Sequence, residues 1–180
     1  LPRDLIPQVV KECANNDIES VVIETQGFAD ADDEEGKQLQ RELDDLVKRN
    51  NIRILGPNTL GTANAFTNFS SAYSKINQRQ NRLGIICQSG FFMVGYSLLN
   101  LVGKGIDLGN SCDLDFADAL EYFEEDDDVR VVALHIEGIR NGARFLKAAN
   151  KVTLKKPVVA LKTGRCEQSA GAAQAHSGSL

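Results

Sequence analysis

Apolar residues recur along this chain in two alternating periods. Leu5, Val9, Val10 and Cys13 fall at helical spacing, and residues 20–25 (SVVIET) follow as a short β-rich run. Leu39, Leu43, Leu46 and Val47 mark a second amphipathic helix, with a strand predicted over 52–55. A polar, turn-rich stretch near 67–81 interrupts the pattern. It resumes with a strand at Leu83–Cys87, a well-buried helix over 91–102 and a short strand over 106–108. Asp115 is placed to cap a helix over 116–123, and residues 129–136 (VRVVALHI) form a strong strand. A helix over 143–154 and a strand at Val158–Lys162 complete the series.

Strands that alternate with helices predict parallel βαβ units, and near-continuous apolar strands such as VVAL fit burial on both faces. Each predicted strand is soon followed by a glycine: Gly27, Gly56, Gly90, Gly109, Gly138 and Gly164. In open α/β sheets, ligands bind beyond the carboxyl ends of the strands, where backbone must approach closely. Any site is therefore expected on one edge of the sheet. The lapse in periodicity over 68–82 is the expected domain boundary, and no internal repeat is evident.

Composition narrows the picture further. The chain has 180 residues, 20 Lys+Arg against 25 Asp+Glu, and 42% hydrophobic residues, the balance of a protein able to bury a core. No apolar run approaches the ~20 residues of a membrane span. The first residue is Leu1 and the sole methionine is Met93, so a piece of a longer protein, with no signal peptide, is expected. Five acids lie in residues 30–35 and five in 124–128, both read as solvated loops; without these ten, 15 acids face 20 bases. A nucleic-acid stripe is not expected, whereas a local anionic ligand is allowed. Cys13, Cys87, Cys112 and Cys166 form no CxxC and the chain has two histidines, so no zinc or other metal site is expected. Reduced thiols and a cytoplasmic location are the plain reading.

Three segments are able to carry chemistry. In Cys87-Gln88-Ser89-Gly90, a buried strand runs into a helix, which aims helix N–H groups and the dipole at the sheet edge, a cradle for phosphate. The same residues also fit a plain helix cap with a turn glycine. Residues 163–180 are small and contain His176, an imidazole suited to act as base, acid or nucleophile, or else exposed on a tail. Glu137 closes its strand just before Gly138, where a carboxylate either orients an imidazole or serves as a cap or surface charge. His135, between Leu134 and Ile136, reads as a packed or edge-facing structural histidine. Lys162 and Arg165 flank Gly164 and are able to screen phosphate charge. Gly56-Pro57-Asn58-Thr59 is a tight turn directly after a strand. Their common location at strand ends points to a phosphorylated imidazole: His176 as acceptor, Glu137 as orienting carboxylate and the helix start as cradle.

Together, GPNTLGTAN at 56–64, GIICQSGFF at 84–92, GN at 109–110, HIEGIRNGARFL at 135–146, KPVVALKTGR at 156–165 and GAAQAHSGSL at 171–180 resemble the α-subunit part of the NDP-forming acyl-CoA synthetases. These are the ADP-forming acetyl-CoA synthetases and their relative succinyl-CoA synthetase. The resemblance implies an α/β chain. Residues 1–70 would be the later part of a Rossmann-like CoA-binding domain, and residues 71–180 a flavodoxin-like parallel-sheet domain of succinyl-CoA synthetase type. It implies a cycle in which acyl-CoA and phosphate give acyl phosphate and CoA, and the phosphoryl group passes through a histidine to ADP. The family's phosphohistidine segment maps to His176, Ser177 and Gly178, and its histidine-holding glutamate to Glu137. The phosphate-binding helix start maps to Gln88, Ser89 and Gly90. The turn near the CoA thioester maps to Gly56, Pro57, Asn58 and Thr59, and a CoA-side loop to Gln26, Gly27 and Phe28.

The family's glycine-rich opening, which holds much of the CoA, is absent, and so is the ATP-grasp portion. Coenzyme A is the implied ligand of this chain. ADP/ATP and Mg2+ are expected on an ATP-grasp β-type subunit or fused domain, within an oligomer. Two other readings stand beside this one: a non-catalytic CoA-binding or regulatory module of the same fold, and an unrelated flavodoxin-like phospho-acceptor or mononucleotide-binding protein. Retention of both His176 and Glu137 speaks against the first, and the placement of the aspartate runs in loops speaks against the second.

Overall fold

Two sheets organise residues 1–164, the part of the chain that the computed structural model describes. A single 3-10 turn, Arg3–Leu5, leads into α1 (Ile6–Asn15), β1 (Ser20–Val22), α2 (Glu34–Arg49) and β2 (Arg53–Leu55). β1 and β2 pair in parallel. The apolar faces expected of α1 and α2 pack with them: Ile6, Val10, Leu39 and Leu43 bury against Ile23, Phe28, Ile52 and Ile54.

The second sheet has six strands in the order β4-β3-β6-β5-β7-β8. These are β3 (Thr62–Asn64), β4 (Phe69–Ser70), β5 (Leu83–Cys87), β6 (Lys104–Asp107), β7 (Val131–Ile136) and β8 (Val158–Lys162). β6, β5, β7 and β8 run parallel, whereas β3 is antiparallel to both β6 and β4. α4 (Phe116–Glu125) and α5 (Gly142–Thr153) cover one face, where Ile86, Leu120, Phe123, Leu134 and Val152 share a core. α3 (Gly90–Leu98) covers the other, above Ile85, Cys87, Met93 and Val102. Burial on both faces is why β5 and β7 read as unbroken apolar runs. Gly84, inside β5, lets α4 close down: a Cβ there would lie 2.9 Å from both Phe123 and Val129.

The predicted parallel α/β architecture is what the chain forms, and its differences from prediction have local causes. The helix expected to reach residue 102 stops at Leu98, because Asn100 takes a left-handed φ of 53°. The last turn closes through Asn100 N–H to Ser97 O and Leu101 N–H to Tyr96 O. Val102 thus leaves the helix and bridges to Gln78. The strand expected over 106–108 starts earlier, at Lys104, whose ammonium is tied to Asp126 and Asp128. β3 and β4 were not legible as strands, and they hydrogen-bond into the second sheet, so the chain enters that sheet at Thr62 rather than after residue 70.

Capping decides where α4 begins. Asp115 accepts from the N–H groups of Ala117 and Asp118, and Asp118 accepts in return from the N–H of Asp115. Arg144 of α5 bonds both carboxylates, which joins the two helices at one end. Arg53 of β2 reaches Asp113 and Asp118, and Arg140 reaches Asp44 of α2, so charged side chains also link the two sheets. Among the described residues, no helix is long and apolar enough to cross a membrane.

Candidate active site

The carboxyl ends of β6, β5, β7 and β8 lie side by side along one edge of the sheet, and the turn after β2 meets that edge at β6. At the end of β5 the chain passes through Gln88 and Ser89 into α3. Ser89 is the N-cap in extended conformation, its side chain makes no cap hydrogen bond, and the first turn of α3 carries no acidic residue. Phe92 N–H bonds Ser89 O at 3.0 Å, whereas the N–H groups of Gly90 and Phe91, at the very start of the helix, have no acceptor within it, so the positive end of the dipole faces the sheet edge.

Gln88 ties this helix start to the end of β7. Its side-chain oxygen accepts from the N–H of Glu137 at 2.8 Å and of Gly138 at 2.9 Å. Gln88 and Glu137 are both buried. Lys162, the last residue of β8, donates to the carbonyl of Glu137 at 2.8 Å. Thr163 N–H bonds Ile136 O at 3.0 Å, and the Thr163 hydroxyl lies 3.3 Å from His135 Nε2. The His135 ring stacks on Phe92 of α3, with centroids 3.4 Å apart and planes at 18°. This buried histidine is packed, as its position inside a strand predicts.

Facing this, residues 56–61 fold against the loop after β6. Gly109, at φ 55°, allows the approach: a Cβ there would meet Pro57 O at 2.3 Å. Asn110 N–H donates to Pro57 O and Cys112 N–H to Gly56 O. Thr59 is buried, its hydroxyl donating to the Asp107 carbonyl and accepting from Gly61 N–H. Between this turn and α3 lies a cavity of about 630 Å³, lined by Gln26, Asn58, Thr59, Tyr73, Gly90 and Asp107 among others.

One cavity therefore gathers Gln26, Asn58 and Thr59 from the expected CoA side with Gly90 from the expected phosphate side. Gly56, Pro57 and Gly27 do not line it. Gly56 (φ 102°) sits against Ile23 O, and Gly27 (φ 98°) lies under Arg3, which bonds its carbonyl, so both shape the loops that present Asn58 and Gln26. Gln88, Ser89 and Glu137 lie at the adjoining strand ends rather than in the cavity wall. His176, Ser177 and Gly178 fall outside the described residues. Among the described residues, no group of three or more His, Cys, Asp or Glu is placed to hold a metal ion.

Asp107 is the participant that sequence reasoning missed. It is 1% exposed at the end of β6, where Oδ2 accepts from Leu60 N–H at 2.6 Å and Oδ1 lies 3.6 Å from the Cys87 thiol. Burial pushes its pKa up to about 6, only partly opposed by hydrogen bonds from Leu60, Gly109, Cys87 and Thr59. Burial also holds the Cys87 thiol well above its ordinary value, which leaves it unreactive. The signal in the sequence was an acid between Ile106 and Leu108, directly before a glycine.

A mostly parallel sheet covered by helices on both faces, with a helix N-terminus and a cavity at its carboxyl edge, defines a flavodoxin-like class of domain. Within that class the chain belongs to the family described as succinyl-CoA ligase like flavodoxin domain, whose family model matches residues 80–180. It is 38% identical to the acetate–CoA ligase [ADP-forming] of Methanocaldococcus jannaschii, over all of this chain and 26% of that protein. It is also 38% identical to the acetate–CoA ligase [ADP-forming] II subunit alpha of Pyrococcus furiosus, over all of this chain and 40% of that subunit. A solved structure of Ca. Korarchaeum cryptofilum dinucleotide forming acetyl-coenzyme A synthetase 1, in complex with phosphate and ADP, superposes with a TM-score of 0.85 at 28% identity. That match covers all of this chain and 40% of the other. The chain thus spans between about a quarter and two fifths of the length of these relatives. The resemblance in its sequence blocks is borne out.

Proposed function

We propose that this chain is an α-type portion of an NDP-forming acyl-CoA synthetase, which converts acyl-CoA, phosphate and ADP to a carboxylic acid, CoA and ATP. The observation that carries the reading is the single cavity shared by the Asn58–Thr59 turn and the first turn of α3. A thioester and a phosphate are brought together there. The Gln88 clamp sets Glu137 beside the same helix start.

In the first step a phosphate oxygen attacks the thioester carbonyl, a C–O bond forms, and the C–S bond breaks to release CoA. In the second, a ring nitrogen of His176 attacks phosphorus, a P–N bond forms, and the acyl carboxylate leaves. In the third, ADP takes the phosphoryl group from His176. Phosphoryl transfer depends on positioning and charge stabilisation, and this chain supplies both. The N–H groups of α3 and the Ser89 hydroxyl, with Ser177 and Gly178, neutralise phosphate charge. The Glu137 carboxylate holds the other ring nitrogen and stabilises imidazolium character as it develops. Gly56, Pro57, Asn58 and Thr59, with Gln26 and Gly27, border the CoA thioester end. ADP/ATP and Mg2+ belong to an ATP-grasp β-type subunit or fused domain, in an oligomer located in the cytoplasm.

Labelling tests the reading. With the ATP-grasp portion present, His176→Ala abolishes transfer of label from ATP to this chain while folding is unchanged. Glu137→Gln lowers the yield by at least about tenfold, the lower end of what a positioned acid–base group supplies. Label that persists in His176→Ala removes the histidine from the reaction. Wild-type yield in Glu137→Gln reduces Glu137 to a structural role.

A further inference from the structure

We propose that Asp107 forms a wall of the phosphate site and carries a proton when the anion is seated, donating a hydrogen bond from its carboxyl to a phosphate oxygen. The inference rests on the reading of the α3 start as the phosphate cradle.

Geometry places the carboxyl there. Asp107 lines the same cavity as Gly90, and a Cβ added at Gly90 would come within 3.3 Å of Asp107 Oδ2. The carboxyl is thus beside the helix start to which phosphate is assigned, and it is 1% exposed, so water does little to screen it. A carboxylate and a phosphate cannot both remain charged at such a place without strong repulsion. The favoured solution for two acids sharing one site is that one of them keeps a proton.

Among the described residues, no cationic side chain lines this cavity, and the N-terminus of α3 supplies the positive potential beside Asp107. β5 offers only the Cys87 thiol, and His135 of β7 lies one strand further on, paired in register with Cys87. α3, Gly90–Leu98, carries no charged side chain, and Tyr96 is its titratable group. The 56–61 turn brings Thr59 and backbone N–H, β3 brings no ionisable side chain, and Cys112 lies in the loop after β6. The cavity wall adds Glu24 and Tyr73. Burial already brings Asp107 close to the protonated state near neutral pH, as its value of about 6 reflects.

A neutral carboxyl has one O–H to give, while Leu60 N–H, Cys87 S–H, Gly109 N–H and the Thr59 hydroxyl surround its oxygens as donors. Phosphate affinity is then proton-linked. Above the titration of Asp107, it falls about tenfold per pH unit from this group alone. With a starting value of about 6, an uncharged isostere binds phosphate about 30-fold more tightly than wild type at pH 7.5.

The test is calorimetry of inorganic phosphate binding to the complete synthetase at pH 7.5. Two buffers of different ionisation enthalpy count the protons taken up. Titration of phosphate itself contributes to wild type and Asp107→Asn alike, so the difference reports Asp107. Wild type is expected to take up nearly one proton more than Asp107→Asn, and the variant to bind about 30-fold more tightly. If the variant fails to fold, sulfate, which does not titrate in this range, gives the same count with wild type alone. Equal uptake in both proteins, or none with sulfate, while phosphate binds and His176 is still labelled, overturns this inference and spares the proposed function. A wild-type synthetase that binds no phosphate overturns both.

Discussion

Gln88 joins the helix start to the glutamate turn, and replacing it with methionine isolates that role. Methionine has similar length and no acceptor of comparable strength, so the N–H groups of Glu137 and Gly138 lose the oxygen that stands 2.8 and 2.9 Å away. Each buried N–H left without a partner costs about 1–3 kcal/mol. Two of them, with some relaxation towards water, predict a loss of about 2–5 kcal/mol. That is a large part of the stability of an ordinary domain, about 5–15 kcal/mol. The chain has no tryptophan, so urea unfolding is best followed by circular dichroism. Hydrogen exchange adds the local readout: the amides of residues 137 and 138 are expected to exchange much faster in Gln88→Met, while those in α1 and α2 change only as far as global stability does. A loss below about 0.5 kcal/mol, with unchanged exchange at 137 and 138, would refute the clamp.

Asp107 also makes a prediction about stability. Its folded pKa of about 6 lies above the ordinary 3.8, so the fold holds the proton more tightly than the unfolded chain does. Its favourable contribution is full below pH 4 and is lost as pH rises through 6. Asp107→Asn should therefore gain up to about 3 kcal/mol relative to wild type at pH 8 and little at pH 4, and a difference independent of pH contradicts the assignment. In Gly84→Ala the new methyl meets Phe123 and Val129 at 2.9 Å, and denaturant unfolding should show a loss of about 1–3 kcal/mol. A neutral result would mean that α4 is free to withdraw.

Strands β5 and β7 were legible because burial on both faces writes itself as an apolar run, β8 because its VVAL run is apolar although Val159 and Leu161 lie exposed, and α4 because Asp115 announces its cap. The family was legible because its blocks lie at turns where backbone closeness restricts residue choice, as at Gly109 and the residues from 56 to 59. β3 and β4 were hidden, because strands of two and three residues show no period; β3 gains its pairing from β6, and the edge strand β4 from β3. The helix limit at Leu98 was hidden because the apolar run continues beyond it, and only the left-handed turn at Asn100 ends it. Asp107 went unremarked for a related reason. An acid at a strand end looks like a surface charge until the Thr59–Leu60 turn folds over it, a contact 47 residues apart in the chain.

The most direct test starts from the thioester side of the reaction. Complete synthetase incubated with acetyl-CoA and labelled inorganic phosphate, in the absence of ADP, should retain label that is lost in acid and survives base. Mass spectrometry should find that phosphate on the imidazole of His176. Label on a serine, threonine or acidic residue, or a wild-type enzyme that turns over with no phosphorylated His176, would contradict the account.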